Sequence, residues 1–286
     1  MTDRTRFISI TATHGVNQYA DPERWKEHRY GLTPGRWTAL AGKSFLVTGA
    51  GTGYGKAVAT ALASAGGRVF LSGRRMEKLL ESIEDMKRLD VPTEECHAVR
   101  FDLTDLKQIL AACEEIKSKC SALYGLVNNA ALPPKGSLIR EEPEYWDALM
   151  RTNVTAPWFL TKEIFPHMIS GGSSRVLFIT SEAGWAFTPG VGPYNVSKAA
   201  LNNLSASMAN EYAETFRGTD IQMNALDPSE AKTEMNRNSP YSASAVVSMA
   251  LMLLSHPQGG PNGRFFHRDG RHLKFAYAEP YEKELM

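Results

Sequence analysis

The stretch Thr48-Gly49-Ala50-Gly51-Thr52-Gly53-Tyr54-Gly55 constrains this chain more than any other. It joins an apolar run, Ser44 to Val47, to a run of small residues, Tyr54 to Ala65. The first reads as a buried strand and the second as a helix. Glycines let the chain turn sharply and let its backbone approach a ligand closely. The helix that follows offers unpaired N–H groups and the positive end of its dipole, a combination suited to phosphate. A glycine cluster alone carries little weight. Its position after a strand and before a helix is what gives it meaning.

The same alternation continues down the chain. Strands are expected at Arg68–Leu71, Cys96–Phe101, Leu123–Val127, Val176–Thr180, Ile221–Ala225 and Arg264–His267. Helices are expected at Met76–Leu89, Thr104–Lys119, Tyr194–Phe216 and Ser242–Leu254, with Thr104 as an N-cap. A longer helical region runs from Glu142 to Ile169, with a bend expected near Pro157. Strands alternating with helices imply right-handed crossovers and a parallel sheet. The fold class is therefore α/β: a doubly wound parallel sheet of the Rossmann type in a single domain, residues 42–275. Residues 1–41 lack a sustained period and read as an N-terminal arm. A short helix at Asp21–His28 starts at Pro22, and Trp25 and Trp37 are the anchors. Residues 276–286 read as a charged C-terminal tail.

Composition excludes several classes. The 286 residues are 43% hydrophobic and 22% charged, as in ordinary globular chains. With 32 basic and 31 acidic residues the net charge is +1, so neither nucleic acid nor an anionic membrane is expected as a partner. No apolar run reaches the length of a membrane span, and the N-terminus lacks an apolar signal core. Cys96, Cys113 and Cys120 follow no metal-binding spacing and suit reduced thiols. The expectation is a cytoplasmic protein without a metal.

The end of the second strand, Leu71-Ser72-Gly73-Arg74-Arg75, selects among dinucleotides. An acidic residue there would bind the hydroxyls of the adenine ribose. None is present, and Arg74 and Arg75 bring positive charge instead. NADP is expected rather than NAD, with Arg74 the better candidate for the 2′-phosphate. Further on, Ser181 closes the fifth strand, and Tyr194 and Lys198 lie four apart on the next helix, hence on one face. A phenol loses its proton near pH ~10, and a positive neighbour favours the phenolate. Tyr194 beside Lys198 is thus a candidate proton donor or acceptor. Trp185, Phe187, Val191, Glu182, Glu230, Leu132, Pro133 and Met235 to Asn238 are the candidates for contact with a substrate.

With these motifs in this order, the sequence resembles the short-chain dehydrogenase/reductases in their compact, single-domain form, over roughly Gly42 to Phe275. Residues Thr48 to Gly55 match the family's TGxxxGxG turn, and Tyr194 to Lys198 its YxxxK motif. Asn128-Asn129-Ala130-Ala131 matches NNAG with Ala131 in place of Gly. Asp227-Pro228-Ser229 matches the PG step with Ser229 in place of Gly. The resemblance implies a catalytic set of Asn153, Ser181, Tyr194 and Lys198. Its cofactor set is Gly49, Gly51, Thr52, Gly53, Tyr54, Gly55, Arg74, Arg75, Asp102, Leu103, Asn129, Ala130, Tyr194, Lys198, Pro228 and Thr233.

In the implied reaction a hydride passes between the nicotinamide and a carbonyl or secondary alcohol. Ser181 holds the carbonyl oxygen, Tyr194 gives the proton, Lys198 binds ribose and lowers the Tyr194 pKa, and Asn153 holds a relay water. A polar or bulky small-molecule substrate, such as a sugar derivative, fits the mixed residues of the cleft. The segment from Thr233 to Ser242 is short, which implies an open cleft. Relatives of this form are commonly dimers or tetramers built on the two long helices, so a homodimer or homotetramer is expected. Two other readings remain: an NADP-binding sensor or structural subunit without turnover, and an extended-branch epimerase or dehydratase. The intact Asn153, Ser181, Tyr194 and Lys198 set weighs against the first, and the glycine spacing weighs against the second.

Overall fold

The computed structural model describes residues 19–273. The outer part of the arm, residues 1–18, and the tail beyond residue 273 lie outside the described residues. Each half of the sheet is built by strand–helix–strand units. β1 (Ser44–Thr48), α3 (Gly53–Ser64), β2 (Arg68–Gly73), α4 (Met76–Arg88) and β3 (Cys96–Arg100) form the first half. Then α5 (Leu106–Lys119) crosses back, so that β4 (Gly125–Asn128) lies beside β1. The second half continues through α6 (Pro143–Met150), α7 (Ala156–Ile169), β5 (Ser173–Ile179), α9 (Pro193–Thr215), β6 (Asp220–Asp227), α10 (Val247–Leu254) and β7 (Arg264–His267). Two short helices precede β1, α1 (Trp25–His28) and α2 (Pro34–Thr38), and another, α8 (Ala183–Ala186), follows β5.

The described strands form one sheet of eight in the order β3-β2-β1-β4-β5-β6-β7-β8, where β8 (His272–Leu273) runs antiparallel to β7 and the others pair in parallel. Strand order reverses between β1 and β4, and a crevice opens there beyond the carboxyl ends of the strands.

Alternation along each strand sends side chains to opposite faces of the sheet. On β5, Leu177 and Ile179 join the core under α3 and α10, whereas Val176 and Phe178 join the core under α5, α7 and α9. Both faces are buried, which explains why the strands read as continuous apolar runs. Arg175 and Asp220 pair at 2.6 Å inside this framework.

Residues 19–41 lie on the first of these cores. Tyr30 is 1% exposed and packs with Leu32 and Leu40. The Trp25 and Trp37 rings stack at 6.2 Å, and Trp25 Nε1 donates to the Leu89 carbonyl at 3.0 Å.

Three local expectations are refined. Asp105, not Thr104, caps α5: its Oδ1 accepts from the Lys107 and Gln108 N–H groups, while Thr104 donates to Asp102. The break in the long helical region is a π-turn at Arg151–Thr155, just ahead of Pro157. The expected Ser242–Leu254 helix begins as a 3₁₀ turn, Ala243–Val246, capped by Ser242.

Candidate active site

The crevice at the strand reversal is a cleft of about 640 Å³. Gly49, Gly51, Thr52, Gly53 and Tyr54 form its floor. Gly49 and Gly53 have φ of 66° and 54°, in the left-handed region where a side chain is unfavourable. At Gly55 a Cβ would sit 2.3 Å from the Gly49 carbonyl oxygen, so the turn closes on itself only with glycine there. Thr52 is the N-cap of α3, and its side chain makes no capping bond. The first-turn N–H groups are therefore left to a ligand, and the dipole favours an anion. This is a fit for a dinucleotide pyrophosphate.

Thr48 and Asn129 brace the two strands at the reversal. Thr48 Oγ1 accepts from the Asn129 and Ala130 N–H groups at 2.9 and 3.0 Å, and Asn129 Nδ2 donates to the Thr48 carbonyl at 2.8 Å. Asn128 turns the other way and donates to Thr161. Asn129, Ala130 and Ala131 line the cleft, so the extra methyl of Ala131 is accommodated at its wall.

At the end near β2, Arg74, Arg75, Lys78, Asp102 and Leu103 line the cleft. Asp102 accepts from the Thr104 N–H and hydroxyl, both at 2.8 Å, and stands 4.0 Å from the Arg74 guanidinium. Arg75 reaches across to Glu234 at 2.7 Å. That contact qualifies the expectation of an open cleft: the segment after Thr233 is short, but its first residue is tied to the opposite lip. Lys78 was missed by sequence reasoning, although its place one turn into α4, beside two arginines, could have marked it.

Leu132, Pro133, Thr152, Thr233, Met235 and Arg237 line the other end. Thr233 Oγ1 accepts from the Met235 and Asn236 N–H groups and fixes this corner. Glu182, Trp185, Phe187, Val191 and Glu230 do not line the cleft. Val191 packs with Leu132 against Tyr194, and Phe187 is 82% exposed. Pro228 also stands back from the cleft, its carbonyl accepting from Arg268.

Tyr194 and Lys198 are buried behind the cleft, and Ser181, half-buried, hydrogen-bonds Tyr194. β5 ends at Ile179 and α9 begins at Pro193, which fixes φ in its first turn. Tyr194 and Lys198 occupy the inner face of that helix. Lys198 Nζ donates to the Ile179 carbonyl at 2.9 Å and lies 5.5 Å from the centre of the Tyr194 ring. Burial lowers the Lys198 pKa to about 8, against the pull of Asp227. Burial pushes the Tyr194 phenol up, Asp227 adds to this, and a hydrogen bond with the Ser181 side chain acts the other way. In this protein alone the dominant influence on Tyr194 is thus desolvation, which keeps it a phenol, rather than the expected lowering by Lys198.

Asn153 lies in the π-turn and is 1% exposed. Its Oδ1 accepts from the Leu132 N–H at 2.8 Å, and its Nδ2 donates to Ser197 Oγ at 3.1 Å. It therefore clamps the wall of the cleft to α9, one residue before Lys198.

Ser229 shows how a departure is absorbed. Its φ is 53°, in the region that favours glycine. Its N–H donates to Asp227 Oδ1 at 2.8 Å, and its carbonyl accepts from the Tyr54 hydroxyl at 2.6 Å. The glycine-like backbone is kept and fastened to α3. Asp227, overlooked as a separate group by the sequence reading, is 1% exposed.

Among the described residues no group of three or more His, Cys, Asp and Glu side chains is placed to hold a metal. No helix there is long and apolar enough to cross a membrane.

The family model of the short chain dehydrogenases matches residues 43–243. The chain is 33% identical over 201 residues to dehydrogenase/reductase SDR family member 4 of Pongo abelii, covering 69% of each chain. It is 33% identical over 199 residues to the gluconate 5-dehydrogenase of Gluconobacter oxydans, covering 69% of this chain and 74% of that one. Among solved structures, a putative gluconate dehydrogenase from Agrobacterium tumefaciens superposes with a TM-score of 0.71 at 26% identity, over 80% of this chain and 94% of the other.

Proposed function

The chain belongs to the short chain dehydrogenase family, and on that premise we propose that it is an NADPH-dependent ketone reductase acting on a polar or bulky carbonyl compound such as a sugar derivative. NAD(P)-dependent oxidoreduction is the activity of the family at large. The observation that carries the finer reading is the convergence of Ser181, Tyr194 and Lys198 at the end of β5, behind a cleft whose floor is an uncapped helix N-terminus.

A bound nicotinamide supplies the hydride to the carbonyl carbon. The chain's own residues handle the oxygen. The Ser181 hydroxyl donates a hydrogen bond to it, and the Tyr194 phenol, held protonated by burial, delivers a proton to it as the C–O bond becomes single. Lys198 offers its ammonium to the nicotinamide ribose. Asn153 holds the Leu132 wall and α9 in register, and the relay water for Lys198 is assigned to it. The glycine turn would hold the pyrophosphate, Asp102 and Leu103 the adenine, and Thr233 the nicotinamide carboxamide.

NADP is favoured because no carboxylate at the end of β2 stands ready for the ribose hydroxyls, while the Arg74 side chain, 64% exposed, is available to a 2′-phosphate. The sugar-like substrate draws support from the relative named for gluconate oxidation. Residues 42–275 act as the catalytic domain, the preceding residues as an arm and residues 276–286 as a tail. A homodimer or homotetramer is proposed on α7 and α9, where Trp158 and Val196 remain exposed. The three free cysteines suit the cytoplasm.

The test is NADPH oxidation against a panel of keto sugars, keto acids and simple aliphatic ketones. Turnover with the polyhydroxylated compounds is expected, and best turnover with small aliphatic ketones would refute the substrate class. Equal dissociation constants for NADP and NAD at moderate salt would refute the cofactor preference.

A further inference from the structure

Asp227 is a carboxylate where an apolar strand ends. Alternation along β6 sends Ile221 and Met223 into the core beneath α7 and α9, and Leu226 into the opposite core. Asp227 falls on the same face as Ile221 and Met223, the face covered by α9. Ile179 pairs with Leu226, and the Thr180 N–H donates to the Leu226 carbonyl at 2.8 Å, so Asp227 stands beside the point where β5 gives way to Ser181. Lys198 Nζ is anchored on that same Ile179. Asp227 is 1% exposed; Oδ1 accepts from the Ser229 N–H at 2.8 Å, and the Glu182 backbone N–H also approaches the carboxylate. A buried carboxylate is costly unless charge nearby offsets it.

We propose that Asp227 is a positioning residue for the Tyr194–Lys198 pair, its buried carboxylate supplying the counter-charge that keeps Lys198 an ammonium and Tyr194 a phenol. The proposal rests on the hydride-transfer reading of this site. Several groups surround Asp227: Tyr54 on α3, Glu182 after β5, Tyr194 and Lys198 on α9, and His267 and Arg268 at the end of β7. Of the charges in that ring, Asp227 is the one that acts on Lys198, and it favours the ammonium. It favours the protonated form of Tyr194 as well. Burial pushes the carboxyl of Asp227 itself up, while the Ser229 N–H, His267, the Glu182 N–H and Arg268 favour its ionised form. Arg268 is held by the Pro228 and Glu230 carbonyls, which fixes its charge beside the β6 loop. A reductase needs Tyr194 as an acid, so a carboxylate here biases the site toward reduction.

The experiment follows NADPH binding by nicotinamide fluorescence from pH 6 to 10 with the full chain, its Asp227→Asn variant and its Asp227→Glu variant. Affinity is expected to fall at alkaline pH as Lys198 loses its proton. Asp227→Asn should move that limb to lower pH by about one unit, and Asp227→Glu should restore it. Superimposed limbs for Asp227→Asn and the wild type would overturn the proposal, as would equal displacement by both variants. If Asp227→Asn does not fold, the double variant with Lys198→Met decides. Recovery of folding supports the pairing, and failure of the double variant overturns it. A wild-type chain that binds no NADPH at any pH sinks the functional reading instead.

Discussion

Arg75 and Glu234 clasp one another across the mouth of the cleft, Nη2 to Oε2 at 2.7 Å, with a second contact at 3.4 Å. Arg75 belongs to the loop after β2, where a 2′-phosphate would arrive. Glu234 follows Thr233, at the nicotinamide end. The same guanidinium is therefore claimed by a carboxylate of the protein and by the proposed cofactor.

Glu234→Gln should release Arg75 and remove a negative charge from the path of the 2′-phosphate. Both side chains are half exposed, and such pairs contribute about 0–1 kcal/mol, so the gain is limited to about fivefold. NADPH affinity should rise by that factor while NADH affinity stays constant. Fluorescence titration with both cofactors at fixed salt checks it, and parallel changes would refute it.

Tyr194→Phe keeps the ring in its pocket and removes the hydroxyl. Loss of the general acid should lower turnover by about 10²–10⁴-fold. NADPH binding should change little, because the ring remains. Steady-state rates with a verified carbonyl substrate measure this, and full retention of turnover would exclude Tyr194 as the acid.

Lys198 makes stability depend on pH in a definite direction. Its pKa is about 8 in the fold, below the value near ~10.4 of a free lysine. Between those values the unfolded chain binds more protons, so stability rises with pH. The cost of burying the ammonium is fully present below the folded pKa and is gone above the unfolded one. Lys198→Met should therefore stabilise the fold at pH 7, by on the order of 1–3 kcal/mol, and flatten stability between pH 8 and 10. Thermal melts across that range provide the measurement, and the variant should lose turnover as it gains stability.

Asp220→Ala strands the guanidinium of Arg175, which is 4% exposed and also donates to the His256 carbonyl. Breaking a buried pair from one side costs about 3–5 kcal/mol. A urea titration should show the midpoint falling with the slope unchanged. A loss near zero would mean that the carbonyl partners suffice.

The strands and helices were legible because their signals are local and repeated. Val176 to Ile179 reads as a strand from four consecutive apolar residues, and the structure shows one at Ser173–Ile179. Tyr194 and Lys198 were legible because spacing on a helix places side chains on one face before any tertiary structure forms. The Thr104 cap failed for a local reason. Asp105 competes for the same N–H groups with a charged acceptor, and the aspartate prevailed. The irregularity expected near Pro157 is a π-turn over Arg151–Thr155, two residues ahead of the proline, whose missing N–H interrupts the helical ladder there.

What the chain's order of residues determined by itself was a sheet of parallel strands, a glycine turn shaped for phosphate, and a tyrosine and lysine on one face of a helix. Each follows from period, backbone freedom or spacing within about ten residues. Only the tertiary structure decided which charges meet. Arg75 finds Glu234, Asn153 ties Leu132 to α9, and the charge of Asp227 comes to act on Lys198. Those partners are separated by 21 to 159 residues where hydrogen bonds join them. The energy of a charge depends on its burial and its neighbours, and both exist only after the sheet has closed.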